Sequence, residues 1–219
     1  MNGDYLLDYI IMISISLLSG TIVTWYFIQR RRLAKFIKEV TLDLESSFKP
    51  VDKTYTLLGY LVGYHARYVL KSGDKVYILL TTTPKISFIY SFVAKWLGRS
   101  DRLEIAIEGA ERRVLRDLHI VLELDRIAQR TLQRDLKGSA NTLLSTSVEI
   151  SGRNYIAYYV DAGDLRRAVR LLQSSGVQVR RLSAFKSQNL TEIVADIKPG
   201  NTLEVVKLLR EFSKVVSRD

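Results

Sequence analysis

The sequence predicts an α+β protein that begins with a single transmembrane helix. Residues 9–29 contain no charged side chain. At about 1.5 Å per residue, a helix of this length spans the roughly 30 Å hydrocarbon core of a bilayer. After residue 50, stretches in which apolar residues alternate are interleaved with stretches of helical periodicity. This pattern predicts strands and helices that pack around a shared core.

Charges on either side of residues 9–29 predict how the helix crosses the membrane. Asp4 and Asp8 precede it, and a basic cluster follows it, made of Arg30, Arg31, Arg32, Lys35 and Lys38. Because positive charge resists translocation, we expect residues 1–8 outside the cell and the rest of the chain in the cytoplasm. A cleaved signal peptide is not expected, since the apolar stretch lacks a basic n-region and an A-x-A-like site.

Residues 30–48 are predicted to form a basic amphipathic stalk that continues the transmembrane helix or restarts just after it. Apolar residues recur at helical spacing, at Leu33, Phe36, Ile37, Val40 and Leu44. Pro50 disfavours helix at Lys49, so we expect the stalk to end there.

Residues 54–109 predict a first α/β unit. Residues 55–83 are rich in tyrosine, valine, leucine and threonine, which favour strands, and residues 71–74 (KSGD) are typical of a hairpin turn. Thr83-Pro84 predicts the start of a helix over 85–98, which Gly98 ends. Residues 102–108 (RLEIAIE) alternate as a strand.

The predicted helix 85–98 is apolar nearly all round. Its aromatic residues are Phe88, Tyr90, Phe92 and Trp96, and lysine and arginine bracket it. At about twelve apolar residues it is too short to span a bilayer. Two interpretations remain open: an interfacial helix in the headgroup plane, or a helix buried against the sheet.

Residues 110–219 predict a second α/β unit. The pattern gives a strand at 118–124, a helix at 126–137 capped by Asp125, strands at 143–150 and 154–160, and a helix at 164–175. A hairpin at 177–185 and 190–197 follows, and Asn201 begins a last helix. From 117 to 185 the order is βαββαβ, which is the ferredoxin-like split pattern.

Residues 154–212 also resemble the small-ligand-binding ACT domain. The resemblance is carried by the strand 155–160, the turn Asp161-Ala162-Gly163-Asp164-Leu165 into a helix, and the strand that begins at Gly176-Val177. It covers about a quarter of the chain, and the closing strand of that domain is missing. It implies a small-ligand sensor and names no ligand.

Groups that carry catalysis are scarce. The chain has no cysteine and two histidines, and it lacks the common nucleotide, metalloprotease and serine-hydrolase motifs. We interpret His119 as a surface residue and His65 as a sheet residue. Asp161, Asp164 and Asp196 could meet at one end of a sheet, although capping and turn chemistry explain them equally well. We therefore predict no enzyme activity, no cofactor and no metal.

The net charge of +10 predicts anionic partners. A basic face is expected in the second unit, from Arg166, Arg167, Arg170, Arg180, Arg181 and Lys186. Anionic lipid is the first candidate partner and nucleic acid a second. A merely solvated face, or the arginine-rich surface of a thermophile, fits the same composition.

These observations favour a non-catalytic, membrane-anchored interaction protein that is a subunit or scaffold of a membrane complex. Ser16, Gly20 and Thr24 lie four residues apart on one side of the membrane helix, a spacing that lets helices approach closely in lipid. The expected partner is another membrane protein or a second copy. The alternatives are a membrane-tethered ligand sensor and an adaptor that recruits RNA or ribosomes.

Overall fold

A computed structural model describes residues 3–59, 61–83, 96, 100–109, 113–136 and 143–217. All statements about structure below refer to these residues.

The chain begins with one unbroken helix of 46 residues, α1 (Gly3–Phe48). The two halves of α1 differ in environment. Side chains from residue 7 to residue 32 are exposed or half-buried. In the second half, one side of the helix is 7% exposed or less, at Leu33, Phe36, Val40, Leu44 and Phe48. The segment predicted as a stalk is therefore a core helix of the domain, because its apolar stripe packs against the sheet.

The strands form one antiparallel sheet. They are β1 (Asp52–Gly59), β2 (Gly63–Val69), β3 (Lys75–Thr81), β4 (Arg102–Glu108), β5 (Leu118–Leu122), β6 (Leu144–Ile150), β7 (Arg153–Tyr159), β8 (Val179–Phe185) and β9 (Leu190–Asp196). Within the described part of the chain the sheet is nine-stranded, in the order β1-β2-β3-β4-β9-β8-β5-β7-β6. The predicted strand 102–108 and the predicted hairpin turn at 71–74 are confirmed.

The two predicted units share this sheet. β4, the last strand of the first unit, pairs along its whole length with β9 of the second unit, from Arg102↔Asp196 to Glu108↔Leu190. The strand ladder passes without a break from one unit to the other. Division of the chain into two units near residue 110 therefore stays a prediction.

Further helices in the described residues are α2 (Arg126–Asp135), α3 (Ala162–Ser175) and α4 (Thr202–Val216). Asp125 caps α2 as predicted, accepting a hydrogen bond from the Ala128 amide at 3.0 Å. The α3 helix ends at Gly176, whose φ of 64° is left-handed and therefore suits glycine.

Helices cover both faces of the sheet, because successive residues of a strand point to opposite sides. Ile120 and Leu182 face the main core, to which α1, α3 and α4 contribute. Val121 and Phe185 face a smaller cluster under α2. The α2 and α3 helices therefore lie on opposite faces.

The sheet has two ends, and α1 emerges from one of them. Thr41 Oγ1 lies 3.1 Å from the Tyr64 hydroxyl, and the rings of Phe48 and Tyr68 are 6.4 Å apart, so α1 runs in the same direction as β2. Its N-terminal half therefore extends past the start of β2. We name this the proximal end; it holds the start of β2 and β4 and the end of β3, β5 and β9. The opposite, distal end holds the turns at 70–74 and 186–189.

Candidate functional site

The N-terminal half of α1 is long and apolar enough to cross a membrane. An 18-residue window of this helix has a mean hydropathy of 1.8 and is not buried by any other part of the described structure. Two of its hydroxyls bond within the helix: Ser16 and Thr21 each donate to the carbonyl four residues earlier, at 2.8 Å. Such bonds remove the cost of placing a hydroxyl in lipid.

The predicted small-residue stripe is exposed along this half of α1. Ser16, Gly20 and Thr24 border an open groove of about 700 Å³ whose other lining residues are Leu17, Thr21, Trp25 and Ile28. A Cβ atom built on Gly20 would meet nothing within 4 Å. The stripe thus leaves room for the backbone of a second helix, and no described part of the chain fills that room.

The predicted basic cluster lies where α1 enters the domain. All its members are exposed: Arg30, Arg31, Arg32, Lys35 and Lys38. Leu33 and Phe36, which lie between them in sequence, are 4% and 7% exposed. The cluster therefore covers the outward side of the helix, while the inward side is already part of the core.

Polar contacts hold the last turns of α1 against the domain. Glu45 accepts from the Tyr55 hydroxyl at 2.5 Å and pairs with Lys53 at 2.8 Å. Arg210 of α4 donates to the Ser47 carbonyl at 2.6 Å, and its guanidinium lies 5.3 Å from the centre of the Phe48 ring. These contacts and the buried apolar stripe make α1 a rigid connection rather than a flexible linker.

The predicted interfacial helix falls largely outside the described residues. Phe88, Tyr90 and Phe92 lie outside the described residues. Trp96 is described, and its side chain is 89% exposed.

The six residues of the predicted basic face lie in different environments. Arg166, Arg170 and Lys186 are exposed. Arg167 pairs with Asp164 at 2.5 Å. Arg180 and Arg181 are neighbours in β8, and both are engaged in ion pairs inside the domain. The structure therefore does not bring the six residues together on one open surface.

Arg180 organises a buried cluster at the proximal end. It donates to Asp125 at 3.0 Å and to Asp196 at 2.5 Å, and Ser100 donates to Asp196 at 2.6 Å. Burial by itself raises the pKa of Asp125, but hydrogen bonds from the Ala128 amide and Arg180 outweigh it and hold that pKa below its usual value. Burial opposes the charge of Arg180, yet its two carboxylate partners raise its pKa.

The three aspartates of the sequence analysis do not meet. Asp196 ends β9 at the proximal end. Asp161 and Asp164 follow β7 at the distal end, where Arg116 donates to them at 2.9 and 3.2 Å. The antiparallel register separates the two groups by the length of a strand. The acidic groups of the ACT-like turn are thus already occupied, since Asp161 also caps α3 through the Gly163 amide at 2.9 Å.

Our interpretation of His119 as a surface residue is wrong. Its side chain is 0% exposed, its ring centre lies 4.7 Å from that of Phe185, and neither ring nitrogen has a hydrogen-bond partner in the described structure. Burial, helped by the charge of Arg181, lowers its pKa to about 3. His65 is exposed on β2, as expected of a sheet residue.

His119 belongs to a row of buried polar side chains on neighbouring strands, which the sequence analysis missed. Register places His119 opposite Ser183 and Ser183 opposite Glu192. Arg181 donates to Glu192, and burial together with the charge of Glu104 raises the pKa of Glu192 to about 7 despite Arg181. The sequence offered only a weak clue, because β5 (LHIVL) and β8 (VRRLSAF) do not alternate regularly between polar and apolar residues.

Nothing in the described part of the chain assembles a metal site: no group of three or more His, Cys, Asp or Glu residues could hold an ion there.

A comparison with solved structures finds a distant likeness. The chain is similar to the crystal structure of the mycobacterial trehalose monomycolate transport factor A, TtfA, with 14% sequence identity and a TM-score of 0.45. The alignment covers 84% of this chain and 94% of that chain. No protein-family model matches the sequence, and no curated protein does.

Proposed function

We propose that this chain is a single-pass membrane protein whose cytoplasmic domain is a non-catalytic interaction module, a subunit or scaffold of a membrane complex. The observation that carries the proposal is the division of α1 into an exposed apolar half and a half that belongs to the domain core. Exposed side chains such as Leu17 (67%) and Ile13 (60%) are unfavourable in water. A bilayer removes that cost and leaves the domain fixed at its surface.

The orientation follows from the charges beside the apolar half. The exposed basic cluster after residue 29 belongs in the cytoplasm, and residues 1–8 belong outside. Single cysteines can test this, because the chain has none of its own. In intact cells, an impermeant maleimide should label Asn2→Cys and spare Ser187→Cys; the reverse pattern would overturn the orientation.

A glycosylation reporter at Asn189 would be less informative. The sequon Asn189-Leu190-Thr191 is intact, but Asn189 accepts from the Val114 amide at 2.7 Å and donates to the Gly109 carbonyl. A glycan on the amide nitrogen would replace one of its two hydrogens and crowd the contact with Gly109. Absence of a glycan therefore says nothing about the side of the membrane.

We also propose that residues 118–185 are a ferredoxin-like unit. The succession β5-α2-β6-β7-α3-β8 and the adjacency of these four strands in the sheet support it. The unit departs from the usual ferredoxin-like arrangement in one respect: α2 and α3 lie on opposite faces of the sheet instead of on the same face.

The assembly role rests on the small-residue stripe. Gly20→Leu should weaken self-association or partner binding in mild detergent by about 5–30-fold, the equivalent of the 1–2 kcal/mol of a membrane helix contact. Ser19→Leu is the matched control: the new side chain is identical, but it points about 100° away around the helix. Because a side chain at position 20 meets nothing in the described structure, a loss specific to Gly20→Leu reports an intermolecular contact. Equal assembly of both variants and the parent chain would remove the stripe from the proposal.

The two alternative functions stay predictions, and no contact in the described structure favours them. The acidic side chains of the ACT-like turn pair with Arg116 and Arg167. Half of the residues expected to bind RNA or ribosomes are held in ion pairs within the domain.

A further inference from the structure

We propose that the proximal end of the domain is a second membrane-contact site, in which apolar side chains from the β1–β2 corner and the start of α2 enter the headgroup layer of an anionic bilayer. This inference rests on the proposed function, since it takes the apolar half of α1 to lie in the membrane. It adds a lipid-binding surface on the sheet domain itself, and that surface fixes how the domain is oriented.

The domain begins within reach of the headgroups. Leu33 is 4% exposed and lies four residues after Gln29, so other parts of the domain enclose the helix about 6 Å beyond the apolar stretch. The headgroup layer on each side of a bilayer is about 5–8 Å thick. Since α1 continues without a break between Gln29 and Leu33, no linker holds the domain away from the surface.

The end of the sheet that faces the bilayer follows from the direction of α1. Thr41 is level with Tyr64, near the start of β2, and α1 runs toward its N-terminus past that point. The turn that precedes β2 therefore points the same way as the membrane half of α1.

Apolar side chains are exposed at this end. At the β1–β2 corner, Leu57 is 78% exposed, Leu58 48% and Val62 41%. Just before and within the first turn of α2, Leu124 is 89% exposed and Ile127 69%. Leu124 is thus more exposed than any described large apolar residue in the membrane half of α1, none of which exceeds 67%.

These two groups belong to one surface. Val62 and Ile127 line the same groove of about 550 Å³, together with Leu79, Thr81, Arg102 and Val194 on the open face of the sheet. Val51, Leu144 and Val160 are also exposed, and Leu144 pairs with Tyr159 next to Val160, but these residues lie at the distal end. The proximal residues are the ones that combine exposure with the direction of the anchor.

The charge around this surface fits an anionic lipid. Arg126 and Arg130 are exposed one turn apart on α2, beside Ile127, and Arg102 borders the groove; these three cations outnumber Glu104, which also lines the groove, and the exposed Glu123 beside Leu124. The basic cluster of α1 adds further cations at the same end. Apolar side chains at headgroup depth with arginines reaching phosphate are what an interfacial protein surface requires.

Depth-dependent quenching on the full chain tests the proposal. Single cysteines at Val62→Cys and Ile127→Cys carry an environment-sensitive fluorophore, with the exposed distal Val160→Cys as the matched control and Leu18→Cys as the probe of α1. The protein is reconstituted into vesicles of phosphatidylcholine and phosphatidylserine, without quencher or with lipids that carry a quencher either near the headgroup, for positions 62, 127 and 160, or on the acyl chain, for position 18. We expect about twofold quenching at positions 62 and 127, and none at 160, because only the proximal labels reach the interface.

The outcomes separate the two proposals. If the label at position 18 is quenched but the label at position 62 or 127 is quenched no more than the label at position 160, the membrane anchor is supported and the second contact is refuted. Equal quenching at 62, 127 and 160 would also overturn it, since the domain would then lack a membrane-facing end. A label at 18 that no lipid-bound quencher reaches would refute the anchor itself, and the second contact with it.

Discussion

Replacement of Leu44 by alanine tests whether the second half of α1 is part of the domain core. Leu44 is 0% exposed and belongs to the main hydrophobic cluster, whereas Leu42, half a turn away on the same helix, is 54% exposed. Truncation of a fully buried leucine costs about 2–5 kcal/mol, from lost burial and from the cavity that remains. A free stalk in solution would lose almost nothing at either position.

The expected loss can be read as a melting temperature. For a domain of about 190 residues, each kcal/mol corresponds to about 2–4 °C, so a loss of about 3 kcal/mol lowers the midpoint by about 6–12 °C. Leu42→Ala is the matched control and should cost less than about 0.5 kcal/mol, as surface substitutions do. The assay is thermal unfolding of the full chain in mild detergent, followed by circular dichroism of the sheet. Similar midpoints for both variants would refute the packing of α1 on the sheet.

Two further predictions concern buried ionisable side chains. The pKa of His119 is lowered to about 3, so its neutral form contributes stability above its unfolded pKa of about 6.5, and that stability is lost as the pH falls from about 6.5 toward 3. His119→Phe should flatten this part of the stability–pH profile measured by urea unfolding. The control His65→Gln, at an exposed position, should leave the profile unchanged. A profile that His119→Phe does not alter would contradict the burial of the imidazole. Arg180→Met would leave two buried carboxylates without their shared partner and should cost about 3–5 kcal/mol. Arg166→Met, an exposed arginine, is its control in the same unfolding experiment, and equal losses would show that the proximal cluster does not stabilise the fold.

Local patterns in the sequence were sufficient for most individual elements. The alternation of residues 102–108 predicted β4 with its observed bounds, because a strand with one face in the core must repeat every second residue. Asp125 and Gly176 marked helix ends, since an N-terminal carboxylate and a left-handed glycine satisfy backbone groups close by in the chain. The apolar length of residues 9–29 likewise fixed a helix able to cross a bilayer.

Features that depend on distant residues were not predictable in this way. The periodicity that suggested a stalk at Leu33–Leu44 is the same whether the apolar stripe packs against lipid, a partner or the domain's own sheet. The contacts of α1 with β2 and α4 show that it packs against the domain. His119 alternates with apolar neighbours as a surface residue would, but an apolar cluster to which α2 contributes covers the side of the sheet that it shares with Val121 and Phe185.

The sequence by itself therefore determined the apolar helix, the charges beside it and the order of strands and helices, because each depends on residues within a few turns or a single strand. Tertiary structure decided that one sheet joins both halves of the chain, through the pairing of β4 with β9 across about 85 residues of sequence. It also decided that α1 is anchored in the core and that the β1–β2 corner and the start of α2 point the same way as the apolar half of α1. Those relations arise from strand register and helix packing between segments far apart in the chain, and a pattern read along the chain does not contain them.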